Sequence, residues 1–167
     1  GKTPLTIWLA TQLRDLGLPT GIVLRGYGGA ARGALLVDGH SVAAEVGDEA
    51  LLIRQRTGFD VAVANDRVAA VRLLEQRGAR VVIADDGLQH LRLRRDFELA
   101  VIDGARGFGN GHLLPAGPLR EPLARLSRVN AVVINGHSRI DMTGAWQMRL
   151  SAGMLQPLAG NGSPRSL

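Results

Sequence analysis

The first residues of the chain have the composition of a phosphate-binding loop. Gly1, Lys2 and Thr3 precede a segment with helical spacing and match the last three positions of the pattern G-x-x-x-x-G-K-[ST]. In that pattern, backbone N–H groups and the lysine surround nucleotide phosphates, and the final hydroxyl binds Mg²⁺. Taken alone, the tripeptide fits an ordinary helix start better than a phosphate-binding loop. Lys2 is the only lysine of the chain, which favours the phosphate-binding interpretation.

A pair of carboxylates follows an apolar segment further along the chain. Asp85 and Asp86 come directly after Val81–Ala84, a run typical of a buried strand. Carboxylates at the carboxyl end of a parallel strand lie where open α/β sheets bind ligands, and they can hold the Mg²⁺ that bridges the phosphates of ATP. A turn selected only for its backbone preferences is the alternative. The upstream Gly-Lys-Thr favours the nucleotide site.

Charged residues near other predicted element ends are further candidates. Asp48 and Glu49 begin a predicted helix, where acids are favoured by the helix dipole and the unpaired N–H groups. A kinase also needs a carboxylate that orients or deprotonates the attacking hydroxyl, so Asp48 is a candidate base as well as a capping residue. His90 can orient a carboxylate or satisfy a backbone carbonyl. Three arginines stand where a guanidinium can reach a phosphate: Arg25, Arg67 and Arg120.

Short apolar segments that alternate with helical ones must position these residues. The pattern predicts helices at 3–16, 48–56 and 67–76 and strands at 21–24, 61–64, 81–84, 99–102 and 131–134. This alternation is typical of βαβ units, so we predict an α/β fold with a doubly wound, mainly parallel sheet. The dipeptide Asp38-Gly39 predicts a hairpin at 35–42. A short helix is expected at 119–126 and a last strand at 146–150.

The composition limits the class of protein. The 167 residues, 46% of them hydrophobic, suit one globular domain or slightly more and exclude disorder as the main state. The absence of cysteine excludes disulfides, cysteine-bound zinc and thiol nucleophiles. The net charge of +5 comes from an arginine excess, which suits phosphate or anionic headgroups, while scattered basic residues and 4% aromatics disfavour nucleic acid. No apolar run approaches the ~18 residues that a membrane span needs.

In their order along the chain, these segments resemble the tetraacyldisaccharide 4′-kinases, the LpxK family. The resemblance runs from residue 1 to about 136 and is carried by GKTP, RGYGG, VGDE, NDR, DDGLQH, GFGNGHLLPAGPLREPL and AVVING. DDGLQH and GFGNGHLLPAGPLREPL are highly specific, whereas GKT is not. The resemblance implies a P-loop NTPase-like core that transfers the γ-phosphate of ATP, with Mg²⁺, to the 4′-hydroxyl of a lipid A disaccharide precursor. The product would be lipid IV-A, made at the cytosolic face of the bacterial inner membrane.

The resemblance also implies roles for individual residues. The catalytic positions of the family correspond to Lys2, Asp48 and Asp86. The nucleotide-binding loop corresponds to Gly1, Lys2 and Thr3. The metal would be bound by Thr3, Asp85, Asp86 and Glu121. The substrate would be contacted by Arg25, Glu49, Arg67, His90 and Arg120.

The family pattern further predicts how the chain is organised. We expect a kinase core at residues 1–137, followed at 138–167 by an interdomain linker strand and the start of a further domain. A membrane-associated helix and the first half of the phosphate-binding loop are expected upstream, so that the chain alone is expected to be inactive. Two alternatives stay open: a P-loop kinase or NTPase with another substrate, and a non-catalytic module for anionic headgroups, which would lack Mg²⁺-dependent affinity for nucleotide.

Overall fold

The computed structural model describes residues 2–26, 33–137 and 140–151. The chain divides into two compact units, Gly1–Asp96 and Phe97–Leu167. The elements in chain order are α1 (Lys2–Asp15), β1 (Thr20–Arg25), β2 (Leu35–Leu36), α2 (Ala43–Val46), α3 (Asp48–Thr57), β3 (Asp60–Ala64), α4 (Arg67–Gln76), β4 (Val81–Ala84), β5 (Leu99–Asp103), a 3₁₀ helix (Leu123–Arg128), β6 (Ala131–Asn135) and β7 (Trp146–Met148). The tail 152–167 lies outside the described residues, and the predicted boundary after residue 137 stays a prediction.

The first unit is built on a four-stranded sheet in the order β2-β3-β1-β4. β1 pairs in parallel with β3 and with β4, and only the two-residue β2 runs antiparallel, against β3. Parallel neighbours need long crossover connections, and the helices α3 and α4 lie in these connections. The mainly parallel α/β fold is therefore confirmed.

Helices cover both faces of this sheet. On one face, Ile22 and Leu24 of β1 belong to a buried cluster that includes Ile53 of α3. On the other face, the intervening Val23 packs in a second cluster with Leu74 of α4. Successive side chains of a strand point to opposite faces, so a strand buried on both sides reads as one continuous apolar run. The doubly wound arrangement predicted for the chain is present in this unit.

Local capping explains where α4 begins and where α3 ends. Asp66 is the N-cap of α4, and its carboxylate accepts a hydrogen bond from the Val68 N–H at 3.1 Å. Gly58 ends α3 with a φ of 68°, in the left-handed region that glycine adopts without steric cost. The predicted bounds of α4 and β4 agree with the structure at both ends.

The hairpin predicted at residues 35–42 is wrong. The Asp38 carboxylate accepts hydrogen bonds from the His40 N–H at 2.8 Å and from the Ser41 hydroxyl at 3.1 Å, so a side chain closes this turn in place of a strand ladder. The chain then enters α2, and β2 pairs with β3 instead of with a following strand. An Asp-Gly dipeptide occurs both in β-hairpin turns and in turns closed by an aspartate side chain. The short apolar segments on either side of it do not distinguish these two structures.

The second unit contains a parallel sheet of three strands in the order β5-β6-β7. The strands predicted at 99–102, 131–134 and 146–150 are confirmed, the last one ending at Met148. The helix predicted at 119–126 forms only from Leu123 and is of the 3₁₀ type. Leu119 is held in the preceding loop, where its N–H donates to the His112 carbonyl at 3.2 Å and its carbonyl accepts from the Leu114 N–H at 2.8 Å.

Candidate functional site

The carboxyl edge of the four-stranded sheet collects most of the predicted site residues of the first unit. β1, β3 and β4 are parallel, so their final residues lie along one edge. Arg25 ends β1, Asp85 follows β4, and α4 begins with Arg67 just after β3. Open α/β sheets bind ligands outside this edge. The turn at residues 27–32 that follows β1 lies outside the described residues, as does Gly1.

Two side-chain contacts join the start of α1 to this edge. The Lys2 ammonium donates to Asp86 Oδ1 in an ion pair, and the Thr3 hydroxyl donates to Glu49 Oε1. These partners are 84 and 46 positions apart in the sequence, so only the fold brings them together. The Lys2 and Asp86 side chains are 47% and 40% exposed, and such pairs contribute little to stability. The pair is therefore significant because it places an ammonium and a carboxylate side by side at the carboxyl edge of the sheet.

Asp85 is a buried carboxylate, 8% exposed. The Thr6 hydroxyl, one turn into α1, donates to Asp85 Oδ2 at 3.2 Å. Burial raises the pKa of Asp85, and the negative charge of Glu49 raises it further, while Lys2 acts in the opposite direction. Carboxylates held at one edge against their own repulsion and desolvation are typical of sites that receive a positive charge.

The turn after β4 has a tightly constrained backbone. Asp86 has a φ of 53°, in the left-handed region that aspartate enters less readily than glycine. At Gly87 an added Cβ would lie 2.9 Å from Ala84 Cβ, so no larger residue fits without movement. Arg67 is only 4% exposed and donates through Nη1 to the Asp86 carbonyl at 2.7 Å. Burial lowers the pKa of its guanidinium, and the negative charge of Asp86 opposes that change. Arg67, predicted to contact substrate, therefore holds the backbone of this turn.

Asp48 stands at the same edge. It is the first residue of α3, but Gly47 is the N-cap and no side-chain capping hydrogen bond is made. Two open hollows of about 580 and 550 Å³ adjoin the helix start, and both are lined by Asp48 and Glu49. Thr3 lines the first hollow and Arg25 the second. This is the placement that a base acting beside the phosphates requires; its catalytic role stays a prediction.

The donor atoms at this edge fit Mg²⁺ better than a metal that needs a protein cage. Within the ranges that the structure describes, no group of three or more histidine and acidic side chains could hold a metal ion. Thr3, Asp85 and Asp86 nevertheless offer hydroxyl and carboxylate oxygens at the start of α1 and the end of β4. Mg²⁺ is usually bound by one or two carboxylates together with phosphate oxygens and water. The residues present therefore suit a cation that arrives with phosphates.

His90 and Arg95 lie beyond the acidic pair. His90 Nε2 is buried and has no hydrogen-bond partner among the described residues, while its backbone N–H donates to the Gly87 carbonyl at 3.0 Å. Arg95 donates through Nη1 to backbone carbonyls of the same turn. Arg95 could not be predicted from the sequence, because Arg92 and Arg94 stand beside it and spacing alone does not distinguish the three.

Arg120 and Glu121 belong to the second unit. Arg120 is exposed, and Glu121 Oε2 accepts from Arg125 Nε at 3.2 Å. Arg125 also pairs with Glu98 Oε2 at 2.6 Å, and this hydrogen bond raises the pKa of Arg125. Glu121 is thus tied to the strand β5 region through Arg125. The contacts of Arg120 with substrate and of Glu121 with a metal stay predictions.

Comparison with known proteins places the chain among one group of kinases. The family model described as LpxK, tetraacyldisaccharide-1-P 4′-kinase, matches residues 1–162. The tetraacyldisaccharide 4′-kinase of Alkalilimnicola ehrlichii is 52% identical over 165 residues, 98% of this chain and 49% of that protein. That of Thiobacillus denitrificans is 57% identical over 135 residues, 80% of this chain and 41% of that protein. The chain spans about half the length of these relatives. No solved structure matches it.

Proposed function

The chain belongs to the tetraacyldisaccharide-1-phosphate 4′-kinase family, and on this premise we propose that the whole protein phosphorylates the 4′-hydroxyl of tetraacyldisaccharide 1-phosphate. ATP is the phosphoryl donor, and lipid IV-A and ADP are the products. Both relatives are named as this kinase, so a P-loop enzyme with another substrate and a non-catalytic headgroup-binding module are not favoured.

The observation that carries the proposal is the contact of Lys2 with Asp86 at the carboxyl edge of the sheet. In P-loop kinases the loop lysine binds the β- and γ-phosphates, and a carboxylate at the end of a strand binds the metal on the same phosphates. Both groups must therefore lie within a few ångströms of each other, although nothing local in the sequence requires it. Their separation by 84 positions makes a chance contact a poor explanation.

The proposed reaction assigns one role to each group at this edge. Asp48 accepts the proton of the 4′-hydroxyl while the hydroxyl oxygen forms its bond to the γ-phosphorus. The bond from the γ-phosphorus to the β,γ-bridging oxygen breaks, and ADP leaves with the bonding electrons. Lys2 stabilises the charge on the transferring group. Thr3, Asp85 and Asp86 would hold Mg²⁺, which when bound neutralises charge on the phosphates.

The substrate dictates the proposed site of action. A disaccharide with four acyl chains is held in a membrane, and ATP is available on the cytosolic side, so we place the reaction at the cytosolic face of the inner membrane. In the part of the chain that the structure describes, no helix is long and apolar enough to cross a membrane. Arg25, in the hollow beside Asp48, carries a guanidinium that suits an anionic group of the sugar.

Transfer of radiolabelled γ-phosphate tests the proposal. The full-length protein that carries this chain is incubated with labelled ATP, Mg²⁺ and tetraacyldisaccharide 1-phosphate in detergent micelles, and the lipid product is separated by chromatography. Lys2→Ala and Asp86→Ala should each lower kcat by ~100-fold or more, because both remove electrostatic positioning of the phosphates. Arg56→Ala, an exposed change in the last turn of α3, is the control. The proposal would be overturned if the wild-type protein transferred no label to the lipid, or if both site variants turned over at the wild-type rate.

A further inference from the structure

The acidic turn, residues 85–90, is held from two sides by arginines. Arg67 approaches from the start of α4 and donates to the carbonyl of Asp86 at 2.7 Å. Arg95 follows the turn in sequence and folds back onto it. The two guanidiniums therefore contact backbone oxygens of the segment that carries the acidic pair.

Arg95 gathers several carbonyls of the acidic turn onto one nitrogen. Its Nη1 lies 3.0 Å from the Leu88 carbonyl oxygen, 3.3 Å from that of His90 and 3.4 Å from that of Gly87. The His90 carbonyl also accepts from the Leu93 N–H at 3.0 Å. A planar guanidinium is a rigid donor, so carbonyls that converge on it fix the curl of the backbone between them.

The need for such support arises at Asp86. Its φ of 53° is a conformation that a non-glycine residue keeps only when its surroundings enforce it. The carbonyl and the side chain of Asp86 share one Cα, so holding the backbone that follows this atom fixes the direction of the Cα–Cβ bond from which the carboxylate extends. That carboxylate points to Lys2, with which it forms the ion pair.

The neighbouring arginines show that this arrangement is particular to Arg95. Arg92 and Arg94 are exposed, and they form ion pairs with the carboxylates of Asp66 at 3.9 Å and Asp96 at 3.8 Å, respectively. These are surface ion pairs of small energetic value. Arg95 is half-buried and contacts the backbone of the acidic turn.

We propose that Arg95 is a positioning residue for phosphoryl transfer. By holding the carbonyls of Gly87, Leu88 and His90, and together with Arg67 on the Asp86 carbonyl, it keeps the Asp86 carboxylate directed at Lys2. Arg95 touches no reacting atom in this role. The inference rests on the proposed kinase function, because that function gives Asp86 its task.

Kinetics of three variants of the full-length enzyme test the proposal. Arg95→Ala should lower kcat by about 100-fold, since a displacement of a catalytic group by ~1 Å has a cost of that order. KM for the lipid should stay near the wild-type value, because Arg95 does not contact it. Arg95→Lys should recover part of kcat, since an ammonium can donate to some but not all of the carbonyls. Arg94→Ala, the matched control, should behave as wild type.

Hydrogen exchange by mass spectrometry gives a readout that does not depend on activity. Peptides that cover residues 86–93 should exchange faster in Arg95→Ala and unchanged in Arg94→Ala, whereas a general loss of stability would accelerate exchange throughout the first unit. If Arg95→Ala does not fold, the exchange rate and kcat of Arg95→Lys are compared with those of Arg94→Ala instead. The proposal for Arg95 is overturned if Arg95→Ala shows the wild-type exchange rate in this segment. It is also overturned if the wild-type enzyme is active and Arg95→Ala has the same kcat. Inactive wild-type enzyme with faster exchange in Arg95→Ala overturns the kinase proposal while supporting the contact of Arg95 with the turn.

Discussion

Replacing Asp48 by asparagine separates helix stabilisation from proton transfer. Asp48 opens α3 without a capping hydrogen bond, so its contribution to stability is that of an exposed charge near the helix dipole. Such a charge contributes about 0.3–1 kcal/mol. Asparagine keeps the shape and removes the charge, so the free energy of unfolding should fall by no more than about 1 kcal/mol. For a unit of the size of residues 1–96, that corresponds to a decrease in Tm of no more than about 4–8 °C.

The expected effect on catalysis is larger. Loss of a general base lowers kcat by ~100- to 10,000-fold, which is about 2.7–5.5 kcal/mol in activation free energy. Labelled phosphate transfer at saturating ATP and lipid measures kcat, and thermal unfolding followed by circular dichroism measures Tm on the same preparations. The catalytic loss should therefore exceed the change in stability several-fold.

Asp66→Ala is the matched control, because Asp66 does form a capping hydrogen bond, to the Val68 N–H at 3.1 Å. Its removal should cost about 1 kcal/mol of stability and lower kcat far less than Asp48→Asn does. Wild-type kcat in Asp48→Asn would refute proton transfer to this residue. A loss of kcat accompanied by a fall in Tm well beyond that of Asp66→Ala would assign the effect to misfolding.

Two further predictions concern the buried parts of the first unit. Burial raises the pKa of Asp85 above its ordinary value of 3.8, so the folded protein holds this proton more tightly than the unfolded chain, and its contribution to stability is lost as the pH rises through the folded-state pKa. Asp85→Asn should therefore raise Tm without metal and nucleotide, by an amount that grows from pH 4 to pH 7, and equal Tm values across that range would contradict the cause given. Gly21→Ala places a Cβ 2.9 Å from Leu74 Cδ1, between β1 and α4, and should destabilise the unit by about 1–3 kcal/mol in chemical denaturation. Gly39→Ala, whose Cβ meets no atom within 4 Å, should leave the midpoint unchanged, and an equal loss in both variants would exclude packing as the reason.

Local signals account for most of the fold that could be predicted. The bounds of α4 agree with the structure because Asp66 caps its start and its apolar side follows helical spacing. β4 agrees because a short apolar run ends at two carboxylates. The segment 35–42 failed because Asp38 bonds to its own neighbours, and Leu119 joined a loop because its partners, His112 and Leu114, are determined by the fold of that loop.

The candidate site was predictable where a residue type matches a known chemistry. Lys2 and Asp86 were selected on that basis, and the structure brings them into contact. Side-chain environment was not predictable in the same way. Arg67 was expected to reach a phosphate, yet it is buried against the Asp86 carbonyl, and Arg95 has the same composition around it as the surface residue Arg94. Which arginine becomes buried depends on contacts between segments that are distant in the sequence. The hydrophobic periodicity of the sequence does not predict such contacts.

Lys2 is already paired with the carboxylate of Asp86, and the Thr3 hydroxyl already donates to Glu49. A phosphate that reaches Lys2 therefore exchanges one anion for another, and its affinity reflects the difference between two ion pairs instead of the full attraction of an isolated lysine. The exchange releases Asp86 from Lys2 as the phosphates arrive. A divalent cation bound to this carboxylate would strengthen the same exchange, so phosphate and cation would favour each other's binding by equal free energies.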